Sequence, residues 1–244
     1  MSARADGYHH LHVNAFLLFF IVPLVLGFWA QHRVKSTFAK NLQVPVANGM
    51  TGAQVARRIL DANGLNEVPV EETPGTLSDH YDPRSRSVHL STNVFHEASV
   101  ASTAVGAHEV GHAIQHAKSY AFFKFRSALF PAVQFASNIW MLFLIGGIFL
   151  QITGFILLAV VLYGIAVLFQ FVTLPVEFDA SRRAKQQLHD LGLVASNESG
   201  GVQATLNAAA WTAKLEVPTG GIQTPTPTKE DLEKLWQDGE RIPN

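Results

Sequence analysis

The chain has 244 residues and a formal net charge of −1 at pH 7, so its charge gives no reason to expect a nucleic-acid partner. It contains no cysteine, which excludes disulfides and thiolate metal sites and leaves histidine and carboxylate as metal ligands. Hydrophobic residues make up 48% of the chain, yet no Asp, Glu, Lys or Arg lies between Arg126 and Glu177. This uneven distribution predicts an integral membrane protein, which we expect to form one domain over residues 1–244.

The first apolar run covers about residues 14–31, close to the minimum of roughly 17–25 residues for a transmembrane helix. A cleaved signal peptide would have a basic start and a small-residue cleavage site, whereas here Arg4 is balanced by Asp6. We therefore predict a retained span. Lys35 and Lys40 follow it, and by the positive-inside rule they predict that its C-terminal end faces the cytoplasm.

A soluble segment with a helix and a small β-hairpin is predicted next. Thr51 is suited to cap the start of a helix, and Gly64 is suited to end it. Asp82-Pro83-Arg84-Ser85 is a turn sequence between two short extended runs, of which the second, Ser87–Ser91, alternates as a strand does. We expect Ser87–Ser91 to be an edge strand that pairs with an extended substrate backbone.

The motif His108-Glu109-Val110-Gly111-His112 lies in a run from Ser99 to Ala117 that is predicted to be helical. Residues four apart on a helix share one face, so His108 and His112 can direct their ring nitrogens to a single metal ion. A catalytic zinc site typically has three protein ligands and a water, and Glu109 is placed to act on that water as general base. A chance match on an ordinary helix is the alternative.

The charge-free run after Arg126 is too long for one span, because about 50 helical residues would extend about 75 Å across a bilayer core of about 30 Å. We predict two spans at about 128–150 and 154–175, joined by a tight turn at Gln151–Gly154. Pro175 is expected to end the second span. Basic residues flank both ends of this hairpin, which predicts that both ends are cytoplasmic.

A third ligand is needed to complete a catalytic site. His116 continues the row of His108 and His112, but eight helical residues cover about 12 Å, so we interpret it as a surface histidine or one that supports the ligands. Glu177 is favoured by topology, because the hairpin returns the chain to the membrane face from which it left. Four other histidines remain open by residue type alone: His80, His89, His96 and His189.

Several stretches beyond the motif resemble one family in order along the chain, over most of Met1 to Ala210. The chain resembles the YugP-like membrane-embedded zinc metallopeptidases and, more distantly, the HtpX and Ste24 group. The resemblance implies a zinc-dependent peptidase in which His108, His112 and Glu177 bind Zn²⁺ and Glu109 is the catalytic base. The matching stretches are Gly52–Ala56 with Ile59-Leu60, Leu77–Pro83, Val88–Ser91, His108–Gln115 and Leu174–Ser181.

The chain departs from the related patterns at two places. Where the HtpX-like pattern has an aspartate four residues after the third ligand, this chain has Ser181, and the nearest acid is Asp179. Relatives continue into another apolar span near Ala210, whereas this chain enters a Pro/Thr-rich stretch, so we expect a flexible tail over residues 216–244 instead of a fourth span.

The fold expected is therefore a mainly α membrane protein with three transmembrane helices, a cytoplasmic zincin-like helical domain and a small β-hairpin or sheet. The function expected is that of a membrane-anchored zinc endopeptidase at the bacterial inner membrane, acting from the cytoplasmic side on peptides or proteins, membrane proteins included. A non-catalytic zinc-binding scaffold is the alternative, although a structural site favours four protein ligands and needs no base. Residues considered for supporting the ligands or stabilising the oxyanion are Asp179, His116, His80, Tyr81, Arg182 and Arg183.

Overall fold

The computed structural model describes residues 25, 28–29 and 31–215. The predicted tail at 216–244 lies outside these residues, as does nearly all of the predicted first span at 14–31. The described part is mainly helical with one small sheet, as expected. Its elements are α1 (31–42), α2 (Gly52–Ala62), β1 (Val70–Thr73), β2 (His80–Asp82), β3 (Ser87–Ser91), α3 (Thr92–His96), α4 (Val100–Ala117), α5 (Ala121–Phe149), α6 (Thr153–Asp190) and α7 (Ser199–Leu215).

Helix α4 is the centre of the fold and carries the His-Glu-Val-Gly-His motif. Its start agrees with the prediction, because the Ser99 hydroxyl caps the helix by accepting a hydrogen bond from the Ser102 backbone N–H. Every residue from Val100 to Gln115 is buried except Val105, so the helix is surrounded on all sides. Helices of this kind form the core of a protein and are not surface elements.

Small residues along α4 allow two helices to approach its backbone. A Cβ added to Gly106 would lie 2.6 Å from the Gly52 carbonyl oxygen at the start of α2. A Cβ added to Gly111 would lie 2.6 Å from the Ala180 carbonyl oxygen of α6. Real carbon and oxygen atoms do not approach so closely, so only glycine permits these two contacts.

The sheet has the order β1-β3-β2, with β1 parallel to β3 and β2 antiparallel to it. The hairpin predicted around Asp82-Pro83-Arg84-Ser85 is therefore present as β2 and β3. The expectation that Ser87–Ser91 is an edge strand is wrong, because β3 has a hydrogen-bonded neighbour on each side. Sequence alternation identified the strand, but the parallel pairing with β1 spans a long connection and left no local signal.

Helix α2 has the limits expected from its sequence. Thr51 and Gln54 form a capping box, in which each side chain accepts a hydrogen bond from the backbone N–H of the other. The helix ends at Ala62, and Gly64 follows with a φ of +69°. Its buried face packs on α4 and includes Val55, Ala56, Ile59 and Leu60.

Helices α5 and α6 are the predicted apolar hairpin. The turn between them is tight, with α5 ending at Phe149, Gln151 at a φ of +55° and α6 beginning at Thr153. By length and composition these are the two helices of the described part that are able to cross a membrane. Only 11% of the most apolar window of each helix is buried, which distinguishes them from the core helices of a soluble protein.

Helix α6 continues well beyond the apolar segment. Pro175, which was expected to end the helix, lies inside it, and the helix runs to Asp190. The expectation failed because the residues after Pro175 pack against α4 and α7, and such packing maintains a helix across a proline. Val176, Ala180, Ala184 and Leu188 recur every four residues and are all buried on that packed side.

Helix α7 is connected to the N-terminal part of the described chain by buried polar groups. The two carboxylate oxygens of Glu198 accept hydrogen bonds from the backbone N–H groups of Ala47, at 2.6 Å, and Ala195, at 2.8 Å. The Asn41 amide donates to the Thr205 hydroxyl at 2.9 Å. These bonds join α1, the loop after it and α7 on one side of α4.

The close contact between α4 and α6 is testable by adding one methyl group. We expect Gly111→Ala to destabilise the fold by about 1–3 kcal/mol through overpacking, which exceeds the roughly 1 kcal/mol that alanine contributes to helix propensity. The melting temperature in detergent should fall by roughly 2–4 °C for each kcal/mol of net loss.

Gly164→Ala is the matched control for this test. Gly164 also lies inside a helix, and a Cβ there would meet nothing within 4 Å. We expect the control to keep or slightly raise the melting temperature. Equal melting temperatures for the two variants would contradict the tight contact.

Candidate metal centre

The two histidines of the motif lie on the same face of α4, as their spacing predicts. Their ring centroids are 4.8 Å apart and the ring planes are nearly perpendicular, at 84°. Each residue is only 6% exposed. The pair is therefore fixed inside the protein, with little freedom for either imidazole to turn into solvent.

Glu177 of α6 is brought to this pair from a distant part of the chain. Its Oε2 lies 3.2 Å from Nε2 of His108 and 3.5 Å from Nε2 of His112. The potential ligand atoms of the three residues all lie within 4.8 Å of one another. The structure thus assembles the set that the resemblance implied, and metal binding by these residues stays a prediction.

The donor atoms and their spacing suit a zinc ion. Zinc binds imidazole nitrogen and carboxylate oxygen at roughly 2.0–2.2 Å with tetrahedral geometry, which places neighbouring ligand atoms about 3.4 Å apart. The 3.2 and 3.5 Å separations between the histidine nitrogens and Oε2 of Glu177 are close to this value. Three protein ligands would leave a fourth position for water or substrate.

Glu109 lies beside the ligands on α4 and is itself buried, with 8% exposure. Burial raises the pKa of Glu109 to about 7, while the nearby His108 acts in the opposite direction. A carboxylate whose pKa is near neutral can accept a proton and release it again at physiological pH. The environment of Glu109 therefore fits the role of general base that its position in the motif predicts.

Each histidine ring has a polar partner at its other nitrogen. Nδ1 of His108 lies 3.2 Å from the Ser181 hydroxyl, and Nδ1 of His112 lies 3.0 Å from Oε1 of Gln115. Both partners orient the rings so that Nε2 faces Glu177, an arrangement typical of metal-binding histidines. From the sequence, Ser181 and Gln115 were noted only as the ends of matching stretches, and Ser181 also as a departure from the HtpX-like pattern; neither was given a role at the site.

Asp179 contacts neither histidine directly. Its carboxylate accepts hydrogen bonds from Nε2 of Gln115 at 2.9 Å and from Nε of Arg183 at 2.6 Å. Arg182 also binds it, although this arginine side chain is 75% exposed. Asp179 is thus connected to His112 through Gln115, and Arg182 and Arg183 lie around Asp179 instead of at the ligand atoms.

His116 and Tyr81 form a neighbouring cluster outside the ligand set. The Tyr81 hydroxyl and Nδ1 of His116 are 2.8 Å apart. Burial raises the pKa of Tyr81 to about 12, so its phenol stays protonated near neutral pH. The ring of buried Phe123 lies beside both groups, with its centroid 5.6 Å from that of His116 and 6.2 Å from that of His112.

The remaining histidines considered from the sequence have other partners. Nδ1 of His80 is 2.8 Å from the Ser78 carbonyl oxygen, and its ring stacks on that of His89 at 4.7 Å. His96 pairs with Glu72 at 3.0 Å. The His189 side chain is 90% exposed. Within the described residues, none of these four joins the cluster of His108, His112 and Glu177.

Arg126 is a site residue that sequence reasoning missed, since it was interpreted only as a basic residue flanking the hairpin. Its Nη2 lies 3.8 Å from Oε1 of Glu177. The carboxylate of Glu177 therefore has one oxygen toward the histidines and the other toward a guanidinium. Arg126 also lowers the pKa of Glu109 somewhat, against the larger effect of burial. Helix α5 thus contributes charge to the site.

The assignment of Glu177 is testable by metal content. We expect Glu177→Ala to reduce zinc affinity by more than the 10–100-fold that loss of a residue supporting a ligand costs, because a ligand itself is lost. His116→Ala should keep most zinc, since its ring is hydrogen-bonded to Tyr81 and does not join the cluster of His108, His112 and Glu177. Zinc per chain after purification in detergent is the measurement. Normal zinc with Glu177→Ala, together with zinc loss in His116→Ala, would show that the wrong ligand was assigned.

Comparisons with known proteins agree with the site. Residues 16–214 match the model of a family described as "Putative neutral zinc metallopeptidase". The chain is also 49% identical over 197 residues to the "Putative membrane protease YugP" of Bacillus subtilis (strain 168), covering 81% of this chain and 88% of that protein. No solved structure matches. With most of its length matched, the chain belongs to the putative neutral zinc metallopeptidase family.

Proposed function

We propose that the protein is a membrane-anchored, zinc-dependent endopeptidase. The observation that carries the proposal is the convergence of two α4 histidines on Oε2 of Glu177 of α6, at 3.2 and 3.5 Å from their Nε2 atoms, with the buried carboxylate of Glu109 beside them. The family and the similarity to a protein named a membrane protease support the same reaction class.

His108, His112 and Glu177 would hold the metal. Zinc at such a site supplies Lewis acidity, polarising the scissile carbonyl and lowering the pKa of water toward about 7. Glu109 then accepts a proton from the attacking water, whose oxygen forms a bond to the carbonyl carbon. As the C–N bond breaks, Glu109 returns the proton to the leaving amine. One water is consumed and one carboxyl and one amino terminus are formed.

The enzyme is favoured over the zinc scaffold by the number of ligands. A structural zinc site is typically closed by four protein ligands, whereas the described residues supply His108, His112 and Glu177. A scaffold would also have no need for Glu109, a carboxylate buried at energetic cost beside the ligands. Both features fit a site with an open position and a base.

The catalytic role of Glu109 is tested by an isosteric change. We expect Glu109→Gln to bind zinc normally, because Glu109 is not a ligand, and to lose at least 100-fold of its proteolytic rate, because the amide cannot accept the proton. Zinc content and cleavage of unfolded casein, with and without a chelator, are measured for the purified protein. Glu97→Gln, at an exposed position after α3, is the control. Cleavage above a few per cent of wild type in Glu109→Gln would refute the mechanism.

We further propose that α5 and α6 span the bacterial inner membrane, with the site on the cytoplasmic side. The two helices expose mainly apolar side chains, and the charged residues of the chain begin again at both open ends of the hairpin. Basic residues near those ends favour the cytoplasmic side. The site would then lie at the membrane surface and act on peptides or on proteins, membrane proteins among them.

The absence of cysteine allows a direct test of this topology. Single cysteines replacing Lys40, Lys118 and His189, all exposed, should be protected from a membrane-impermeant maleimide in intact bacterial cells. A cysteine replacing Gln151, in the hairpin turn, should be labelled. All four should react after the cells are opened. Labelling of Lys118→Cys but not of Gln151→Cys in intact cells would show that the protein has the opposite orientation in the membrane.

A further inference from the structure

Gln115 occupies an unusual position among the buried polar groups of the site. It is fully buried on α4, one turn after His112, and its amide makes three hydrogen bonds. Oε1 lies 3.0 Å from Nδ1 of His112, while Nε2 lies 2.8 Å from the Val176 carbonyl oxygen and 2.9 Å from Oδ2 of Asp179. One side chain therefore joins a candidate metal ligand of α4 to two acceptors on α6.

The orientation of this amide follows from the chemistry of its neighbours. A carbonyl oxygen and an ionised carboxylate only accept hydrogen bonds, so the side of the amide that faces Val176 and Asp179 must be the NH₂ group. The oxygen must then face His112. The alternative orientation would place an oxygen against two oxygens and leave buried acceptors without donors.

The amide orientation in turn determines the protonation of His112. Oε1 of Gln115 only accepts, so Nδ1 of His112 must carry a hydrogen and donate it. In the neutral ring the lone pair is then at Nε2, which is the nitrogen that lies 3.5 Å from Oε2 of Glu177. This is the nitrogen that must be free of hydrogen to bind a metal ion.

Asp179 and Arg183 stabilise the orientation of the Gln115 amide, although neither is hydrogen-bonded to His112. Arg183 donates from Nε to Asp179 at 2.6 Å, and the Arg182 guanidinium binds the same carboxylate. A carboxylate that is held by cations remains an acceptor, so it continues to require the NH₂ group of Gln115. A carboxylate that bonds directly to the ligand histidine is the common arrangement, and here an amide stands between the two.

We propose that Gln115 is a positioning residue that fixes the metal-binding tautomer of His112, and that Asp179 and Arg183 act on His112 through it. This proposal rests on the proposed zinc site, but not on peptide hydrolysis. According to this proposal, the tautomer is fixed by a neighbour for His112 but not for His108. The Ser181 hydroxyl beside His108 can donate or accept, and it therefore imposes no tautomer.

The first test measures which ring nitrogen of His112 carries a hydrogen in the metal-free, full-length protein at pH 8. Nitrogen NMR of ¹⁵N-histidine-labelled protein in detergent distinguishes Nδ1–H from Nε2–H rings, and loss of a signal in His112→Gln assigns His112. We expect the Nδ1–H form in wild type and a mixture or the Nε2–H form in Gln115→Met. A wild-type His112 ring with no hydrogen on Nδ1 would overturn the proposal, whether or not the variant folds.

The second test measures zinc affinity by competition with a chromophoric chelator. We expect Gln115→Met to bind zinc 10–100-fold more weakly, the usual effect of losing a group that orients a ligand, and Ser181→Ala to lose clearly less. Gln187→Met is the matched control, because Gln187 is a glutamine of α6 that bonds to Asn63, away from the site. Wild-type zinc affinity in Gln115→Met would contradict the proposal.

A rescue variant separates positioning from packing. In Gln115→Glu the side chain keeps its length and an oxygen that faces Nδ1 of His112, but it loses the NH₂ group that donates to Val176 and Asp179. We expect this variant to keep the Nδ1–H form and to keep more zinc affinity than Gln115→Met, even where its melting temperature is lower. Recovery of melting temperature without recovery of tautomer and affinity would show that Gln115 only fills space. An active site that binds zinc but cleaves nothing would refute the proposed function and leave this inference standing.

Discussion

The contact between α4 and α6 at Gly111 is the constraint on which the candidate site depends. Glycine allows the backbone of α4 to meet the Ala180 carbonyl, and this approach brings Glu177 within 3.5 Å of Nε2 of both motif histidines. Ser181, the residue after Ala180, reaches His108 from the same stretch of α6. A larger separation of the helices would move both Glu177 and Ser181 away from the histidines, although the motif on α4 would be unchanged.

Buried charge is the energetic cost of this arrangement, and the fold offsets it locally. Glu109, Glu177 and Asp179 are each less than one-tenth exposed, which is unfavourable for carboxylates without partners. Arg126 lies beside Glu177, and Arg182 and Arg183 bind Asp179. These cations come from the ends of the two apolar helices, so residues that were interpreted as membrane-flanking charges also stabilise the site.

The sequence was sufficient to predict those features of the structure whose physical signal is local. The helical spacing of His108 and His112, the cap at Thr51 and the charge-free run with a polar turn each depend on neighbouring residues, and α2, α4 and the turn of the hairpin lie where they are expected. Glu177 was predicted by a topological argument and by family resemblance, since no spacing rule connects residues so far apart. The structure places it at the histidines.

The features that the sequence did not predict depend on packing between distant segments, and such packing leaves no local sequence pattern. The pairing of β1 with β3, the continuation of α6 through Pro175 and the approach of Arg126 to Glu177 all belong to this class. Gln115 is the clearest case, because an isolated glutamine on a helix gives no sign that its amide will lie between a histidine and an aspartate. Such residues are found only once the helices are placed against each other.

The unbroken course of α6 makes the apolar hairpin and the candidate metal centre inseparable parts of the fold. One continuous helix of 38 residues carries apolar surface in its first half and Glu177, Asp179 and Ser181 in its second half. Deletion of the hairpin would therefore leave two free helix ends, one beside Arg126 and one beside Glu177, with nothing to hold their spacing. A chain without these two helices would need a new rigid connection at that point, so the apolar hairpin is not a removable module.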